Sequence, residues 1–172
     1  MSKLIVICGL PYAGKTTLGT ALVARFGHAA VDVDATKDQL YGVGLNDDDL
    51  TQDQWNAIYA QTDQQIADYL QSGTTVVDDS RNFRKVERMG ARAIAHRCEA
   101  QFITVCVDTP VEMVRQRLVE NRQNPTRHDI ADADFEHLLR SWEAPTDDER
   151  PLLLTHEDRL QDWMQLHAHE LT

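Results

Sequence analysis

Residues 9–16 read Gly9-Leu10-Pro11-Tyr12-Ala13-Gly14-Lys15-Thr16, a complete G-x-x-x-x-G-K-[ST] pattern. The run before it, Leu4-Ile5-Val6-Ile7-Cys8, is wholly apolar, as expected of a strand buried on both faces. After it come Leu18, Ala21, Leu22, Arg25 and Phe26 at helical spacing, stopped by Gly27 as a C-cap. Strand, glycine loop and helix in that order constrain the fold. They predict a turn whose backbone N–H groups converge on one concavity at the positive end of a helix dipole.

Such a concavity holds phosphates. Gly9 and Gly14 let the backbone approach a ligand without a Cβ clash. Lys15 is expected to reach β- and γ-phosphates as a point charge, and the Thr16 hydroxyl to bind Mg²⁺. Gly9, Pro11, Tyr12, Ala13, Gly14, Lys15, Thr16 and Thr17 are therefore the candidate nucleotide-binding residues.

Five strand candidates alternate with helical patterns: residues 3–8, 29–33, 74–78, 101–107 and 151–155. Thr51 and Gln54 form a capping box before a helix with Trp55, Ile58, Tyr59, Thr62, Ile66 and Tyr69 on one face. Val86, Met89, Ala93 and Ile94 mark a second stripe. Thr109-Pro110-x-Glu112 opens a third helix, with Thr109 as its cap. Asp132 caps another, and the last presents Leu160, Trp163, Met164 and His167. Alternating βα units predict one domain over 1–172, with a mostly parallel sheet covered on both faces. Ligands then bind at the carboxyl ends of the strands.

Three acidic or basic groups fall at those ends. The second strand is read as closing in Asp32-Val33-Asp34, which a period of two places on one face for both acids. Asp34 there is positioned to accept a proton from an attacking hydroxyl; the other reading is a helix N-cap. Lys37 follows one turn later, as a substrate contact or a solvated lysine. The third strand ends in Asp78-Asp79-Ser80, a Walker-B-like placement for Mg²⁺. Adjacent strand residues face opposite ways, so one of Asp78 and Asp79 faces the metal, while Ser80 is a candidate substrate contact. Arg115, Arg117, Arg122 and Arg127 form a cationic stretch around Asn124-Pro125. This reads as a helical lid at about 115–135, with Arg122 and Arg127 neutralising charge on a transferred group and Arg117 on the nucleotide. The alternative is surface arginines paired with local acids.

Charge and composition exclude other classes. The net charge of −11 disfavours a long nucleic-acid groove, which needs a basic stripe. No segment approaches a membrane span, no signal peptide is evident, and the three cysteines suit a reduced state. A cytoplasmic protein is expected, and its oligomeric state is not readable.

On these residues the chain resembles the small P-loop kinases related to polynucleotide 5′-hydroxyl kinase domains, zeta toxins and chloramphenicol phosphotransferases. The likeness spans Gly9 to Thr16, Asp34, Asp78-Asp79-Ser80, the arginine-bearing lid, and Glu143-Ala144-Pro145 with Glu149. It implies an α/β, three-layer P-loop NTPase fold with a five-stranded parallel sheet ordered 2-3-1-4-5, ATP as donor, and Asp34 as base. Polynucleotide kinases place an arginine three residues after that Asp; here Lys37 stands there, without the guanidinium fork. The expected activity is transfer of the γ-phosphate to a hydroxyl of a small molecule. A polynucleotide or nucleotide kinase and a regulatory ATPase are the alternatives. The segment from Lys37 to Tyr69, rich in aromatics and amides, points to a neutral or weakly charged acceptor.

Overall fold

Every residue of β1 (Lys3–Cys8) is buried, so its run of branched side chains sits at the centre of the sheet. The computed structural model describes residues 1–125 and 129–172. Around β1 stand β2 (Ala29–Val31), β3 (Val76–Asp78), β4 (Gln101–Asp108) and β5 (Leu152–Thr155), all parallel, in the order β2-β3-β1-β4-β5. The expected strand order is therefore found.

The connecting helices are α1 (Lys15–Phe26), α2 (Val33–Tyr41), α3 (Gln52–Gln71), α4 (Lys85–Arg97), α5 (Val111–Gln123), α6 (Asp132–Ser141), α7 (Leu160–Leu166) and α8 (Ala168–Leu171). Alternation along the strands builds two apolar layers. Ile5, Ile7, Val77, Val105 and Val107 pack with Leu18, Leu22, Val114, Leu118, Trp163 and Met164. Leu4, Val6, Val31 and Val76 pack on the opposite side with Ile66, Leu70, Ala91 and Ile94. Lys3, although charged, is buried because its Nζ donates to the carbonyls of His169 (3.2 Å) and Glu170 (2.7 Å) at the end of α8. The Thr51–Gln54 capping box of α3 is present. Among the described residues, no helix is long and apolar enough to cross a membrane, and the three cysteines are free.

Four local expectations differ, one of them Asp132, which is the first residue of α6 behind the N-cap Ala131 and not the cap itself. β2 ends at Val31, and Asp32 turns the chain into α2: its Oδ1 accepts the amides of Asp34 (2.7 Å) and Ala35 (3.3 Å). Asp34 is thus in the first turn of a helix, neither strand residue nor cap. Thr109 does not cap α5; its hydroxyl donates to the carbonyl of Ala13 instead (2.9 Å). The buried stripe of α4 is Arg88, Ala91, Ile94 and Ala95, while Val86 is exposed, because Arg88 is neutralised inside the core.

Candidate active site

Gly9 holds φ 148°, and a Cβ there would lie 2.7 Å from the Val107 carbonyl oxygen. Gly14, at φ 114°, is the left-handed N-cap of α1. Between them the loop wraps around the ammonium of Lys15, which donates to the carbonyls of Gly9 and Leu10, both at 3.0 Å. The loop is pinned from behind. Arg117 Nη1 donates to the carbonyls of Tyr12 and Ala13, both at 2.9 Å, alongside the Thr109 bond to Ala13. Three charged or hydroxyl donors thereby fix the loop carbonyls, and the Ala13 amide closes a turn on the Leu10 carbonyl (3.1 Å).

A cavity of 660 Å³ opens beside this loop, lined among others by Tyr12, Gly14, Thr17, Arg117, Thr155 and His156. That volume is in the range of small-ligand sites. It places Arg117, from α5, at the side of the loop as expected from its grouping with the nucleotide residues.

The two acids of β3 part company. Asp78 turns toward α3 and α4 and is 2% exposed; its Oδ1 accepts the Ser80 amide (3.1 Å) and the Ser80 hydroxyl (2.7 Å). Asp79 turns toward α1, where the Thr16 hydroxyl bonds its carboxylate. A Cβ on Gly19 would lie 3.5 Å from Asp79 Oδ2, so α1 passes close by. Burial pushes the Asp79 carboxyl above the ordinary carboxylate range; Asp78 and Asp32 add to the rise, and Thr16 and Lys15 oppose it. A desolvated carboxylate next to a hydroxyl and two further acids fits a divalent cation. Among the described residues no three His, Cys, Asp or Glu side chains form a metal cage. That agrees with an ion held by one or two protein oxygens together with phosphates and water.

Asp34 is largely exposed. Partial desolvation raises its carboxyl, Asp32, Asp47 and Asp38 add to the rise, and Lys37 opposes it from 3.8 Å. Lys37 is itself held by Asp47 at 2.8 Å, which pushes its ammonium up. Tyr59 feels the charge of Asp47 and stacks on Trp55 (5.6 Å between ring centroids). Trp55 and Tyr59 thus stack within the segment 37–69, where Lys37 and Asp47 also place charge.

In the segment expected to form a lid, Arg122 Nε donates to Asp129 Oδ1 (3.0 Å), and its Nη2 reaches the Ile130 carbonyl (2.7 Å) and Asp132 (2.8 Å). These bonds tie the end of α5 to the start of α6, and Arg115 pairs with Glu136 across the same gap. Arg122 thus holds local acids in this state, as the surface-pairing alternative expects. Arg127 lies outside the described residues.

Two residues missed in the sequence stand here. Asp32 caps α2 and also contributes charge at Asp79. Arg81, just beyond Asp78-Asp79-Ser80, packs on Tyr59 and pairs with Asp63. Its position after a Walker-B-like strand end was the available signal.

Asp79→Asn is expected to stabilise the ligand-free protein at neutral pH. The folded-state pKa of Asp79 is raised, so its contribution is favourable below that pKa and is lost as pH rises through it. Thermal melts taken from below the ordinary aspartate pKa up to neutral pH should show the variant's advantage growing as pH rises and then levelling off, while stabilisation by MgATP disappears. A variant less stable than the parent at pH 7 would contradict the assignment.

A family described as AAA domain matches residues 4–145. No curated protein matches the chain. A candidate kinase from Chloroflexus aurantiacus J-10-fl superposes with TM-score 0.77 at 22% identity, covering 99% of each chain. Kti12 from Chaetomium thermophilum, solved with ADP-AlF3, gives 0.78 at 21%, covering 97% of this chain and 96% of that one. A gluconokinase from Sinorhizobium meliloti 1021 gives 0.62 at 19%, covering 98% and 91%. At these identities the structures establish the shared fold. Since the family match takes in the phosphate loop, the strand-end acids and all of α5 and α6, this chain belongs to the AAA domain family of P-loop proteins.

Proposed function

We propose that the protein is an ATP-dependent kinase that transfers the γ-phosphate to a hydroxyl of a small molecule. The observation that carries this reading is the pairing of two unlike clusters. Lys15, Thr16 and Asp79 form one cluster and Asp34, Lys37 and Asp47 another, linked through Asp32, which caps the helix carrying Asp34 and adds to the charge on Asp79. A nucleotide-binding switch needs the first cluster only.

In this reading the loop amides and Lys15 bind the phosphates, with Lys15 exchanging the Gly9 and Leu10 carbonyls for phosphate oxygens. Thr16 and Asp79 hold Mg²⁺, and Asp78 supports them by fixing the turn at Ser80. A divalent ion held by these residues would offset the charge of the phosphates. Asp34 orients the acceptor hydroxyl and takes its proton; its raised pKa makes it a stronger base than an ordinary carboxylate. Arg122 and Arg127 act when the lid closes, which requires Arg122 to release Asp129 and Asp132.

Kti12 shares the fold and was solved with a nucleotide analogue, which supports a regulatory ATPase as the second reading. One experiment separates the two: ADP release with Mg²⁺ across nucleosides, sugars, sugar acids, aminoglycosides and a 5′-hydroxyl oligonucleotide, with Lys15→Ala as blank. Acceptor-dependent release, reduced ~10²–10³-fold or more in the blank, is the expected result. Release indifferent to every acceptor would favour the regulatory ATPase.

A further inference from the structure

The loop after β3 carries a guanidinium that the proposed chemistry does not use. Arg81 lies two residues beyond Asp79, with its guanidinium 4.7 Å from the Tyr59 ring centroid and its Nη2 donating to Asp63 Oδ1. Stacking fixes the plane of the fork. Nε, next to Nη2, is buried and has no hydrogen-bond partner among the described residues. Nε and Nη2 together form the edge that a planar carboxylate or a phosphate takes with two parallel bonds. Asp63 uses only one of the two donors and is itself 40% exposed, so it sits as a replaceable counter-ion.

A cavity of 230 Å³ adjoins this edge, lined by Tyr59, Asp63, Asp78, Arg81, Asn82 and Glu87. Its other carboxylates are engaged elsewhere. Asp78 Oδ1 takes the Ser80 amide and hydroxyl, and Glu87 Oε2 takes the amides of Phe83 and Arg84 (both 2.8 Å). The cavity is too small for a whole metabolite and large enough for one charged end of it. Tyr59, which lines it, stacks on Trp55 of the same helix. Tyr59 feels Asp47, Asp47 holds Lys37, and Lys37 lies 3.8 Å from Asp34.

We infer that Arg81 sets acceptor specificity: it binds an anionic group, carboxylate or phosphate, carried by the hydroxyl compound that enters beside Asp34, in exchange for the Asp63 carboxylate that now pairs with it. The word acceptor rests on the kinase reading; anion binding at Arg81 does not. A neutral or weakly charged acceptor, the expectation from residues 37–69, is replaced here because Arg81 reaches Tyr59 and Asp63 from outside the segment.

The test is an NMR titration of the full chain, following the Arg81 Nε–Hε resonance assigned by its loss in Arg81→Lys. Matched probes are gluconate and glucitol, ribose 5-phosphate and ribose, with acetate and inorganic phosphate alone. The anionic member of a pair should shift the resonance and its neutral partner should not; the two arms report whether carboxylate or phosphate is preferred. By calorimetry, Arg81→Lys should weaken that anion about tenfold or more, the loss of one charge-assisted bond, with ATP affinity unchanged. Asp63→Asn should tighten it. Equal shifts with the neutral partners, no shift with any anion, or parent-like anion binding in Arg81→Lys would overturn the inference. A persisting shift without acceptor-dependent ADP release would instead count against the kinase reading alone.

Discussion

Asp34→Asn is expected to lower kcat for phosphoryl transfer by ~10²–10⁴-fold, the range for loss of a positioned general base. ATP affinity should be unchanged, because in this reading Asp34 acts on the acceptor hydroxyl and not on the phosphates. The fold should also be unaffected. The cap of α2 is Asp32, whose Oδ1 already accepts the amides of Asp34 and Ala35. Substituting Asp34 therefore removes a carboxylate without removing a cap, and thermal stability separates the two roles. The pH profile adds a second readout. Desolvation and nearby acids raise the Asp34 pKa, so kcat of the parent should fall as pH drops through a value above that of an ordinary aspartate. That acidic limb should be missing from the residual activity of the variant. Near-normal transfer by Asp34→Asn would remove Asp34 from the chemistry.

Arg88→Met should cost ~3–5 kcal/mol of stability, the range for breaking a buried ion pair from one side. Arg88 and Glu149 side chains are both fully buried. Nε meets Oε2 at 2.6 Å and Nη2 meets Oε1 at 2.9 Å, a bidentate pair. Nη1 donates to the carbonyls of Asn82 (3.2 Å), Phe83 (3.3 Å) and Glu143 (2.9 Å). Methionine fills the space but leaves a buried carboxylate without its counter-ion, bonded to Thr146 alone (amide at 3.0 Å), and takes a donor from the carbonyls of Asn82 and Glu143. For a chain of this length the loss lowers Tm by on the order of 10 °C. The pH dependence should reverse. In the parent, Arg88 holds the Glu149 pKa low, so that contribution is present above the unfolded pKa and lost as pH falls through the folded one. In Arg88→Met burial raises the Glu149 pKa, and the deficit should shrink toward acid pH. Replacing both partners, Arg88→Met with Glu149→Leu, should recover most of the loss. Denaturant melts at several pH values measure all three effects, and a cost under about 1 kcal/mol for the single variant would show that the pair carries no such load.

Local pattern was enough for β1 and the phosphate loop, because burial on both faces and two forced glycine conformations leave their mark on consecutive residues. It was enough, too, for the α3 capping box. It failed where the deciding partner is distant. Arg88 looks like a surface residue until Glu149, 61 positions later, neutralises it; the apolar stripe was accordingly rotated toward Val86. Thr109 has the sequence of a cap, yet the carbonyl it serves belongs to Ala13. Asp32-Val33-Asp34 suits both an extended strand and a capped helix start, and only the backbone turn after Val31 separates them. Adjacent acids at 78 and 79 could be told to diverge, but which one meets Thr16 depends on where α1 lies against the sheet. Arg81 carries no periodic signal, since its partners Tyr59 and Asp63 come from α3.

The placement of β1 has a consequence for how the chain is made. Its first strand is the middle one, with Leu4 beside Val76 and Lys3 beside Gln101. On a ribosome adding roughly 5–20 residues per second, the segment Leu4 to Cys8 waits on the order of 5–20 seconds for both neighbours. Even then Lys3 lacks the carbonyls of residues 169 and 170. An apolar, β-prone stretch is thus exposed through most of synthesis, with the phosphate loop hanging from it unformed. Nascent chains of this protein are therefore expected to engage holdase chaperones early and to acquire nucleotide affinity late, after the far edge of the sheet has emerged.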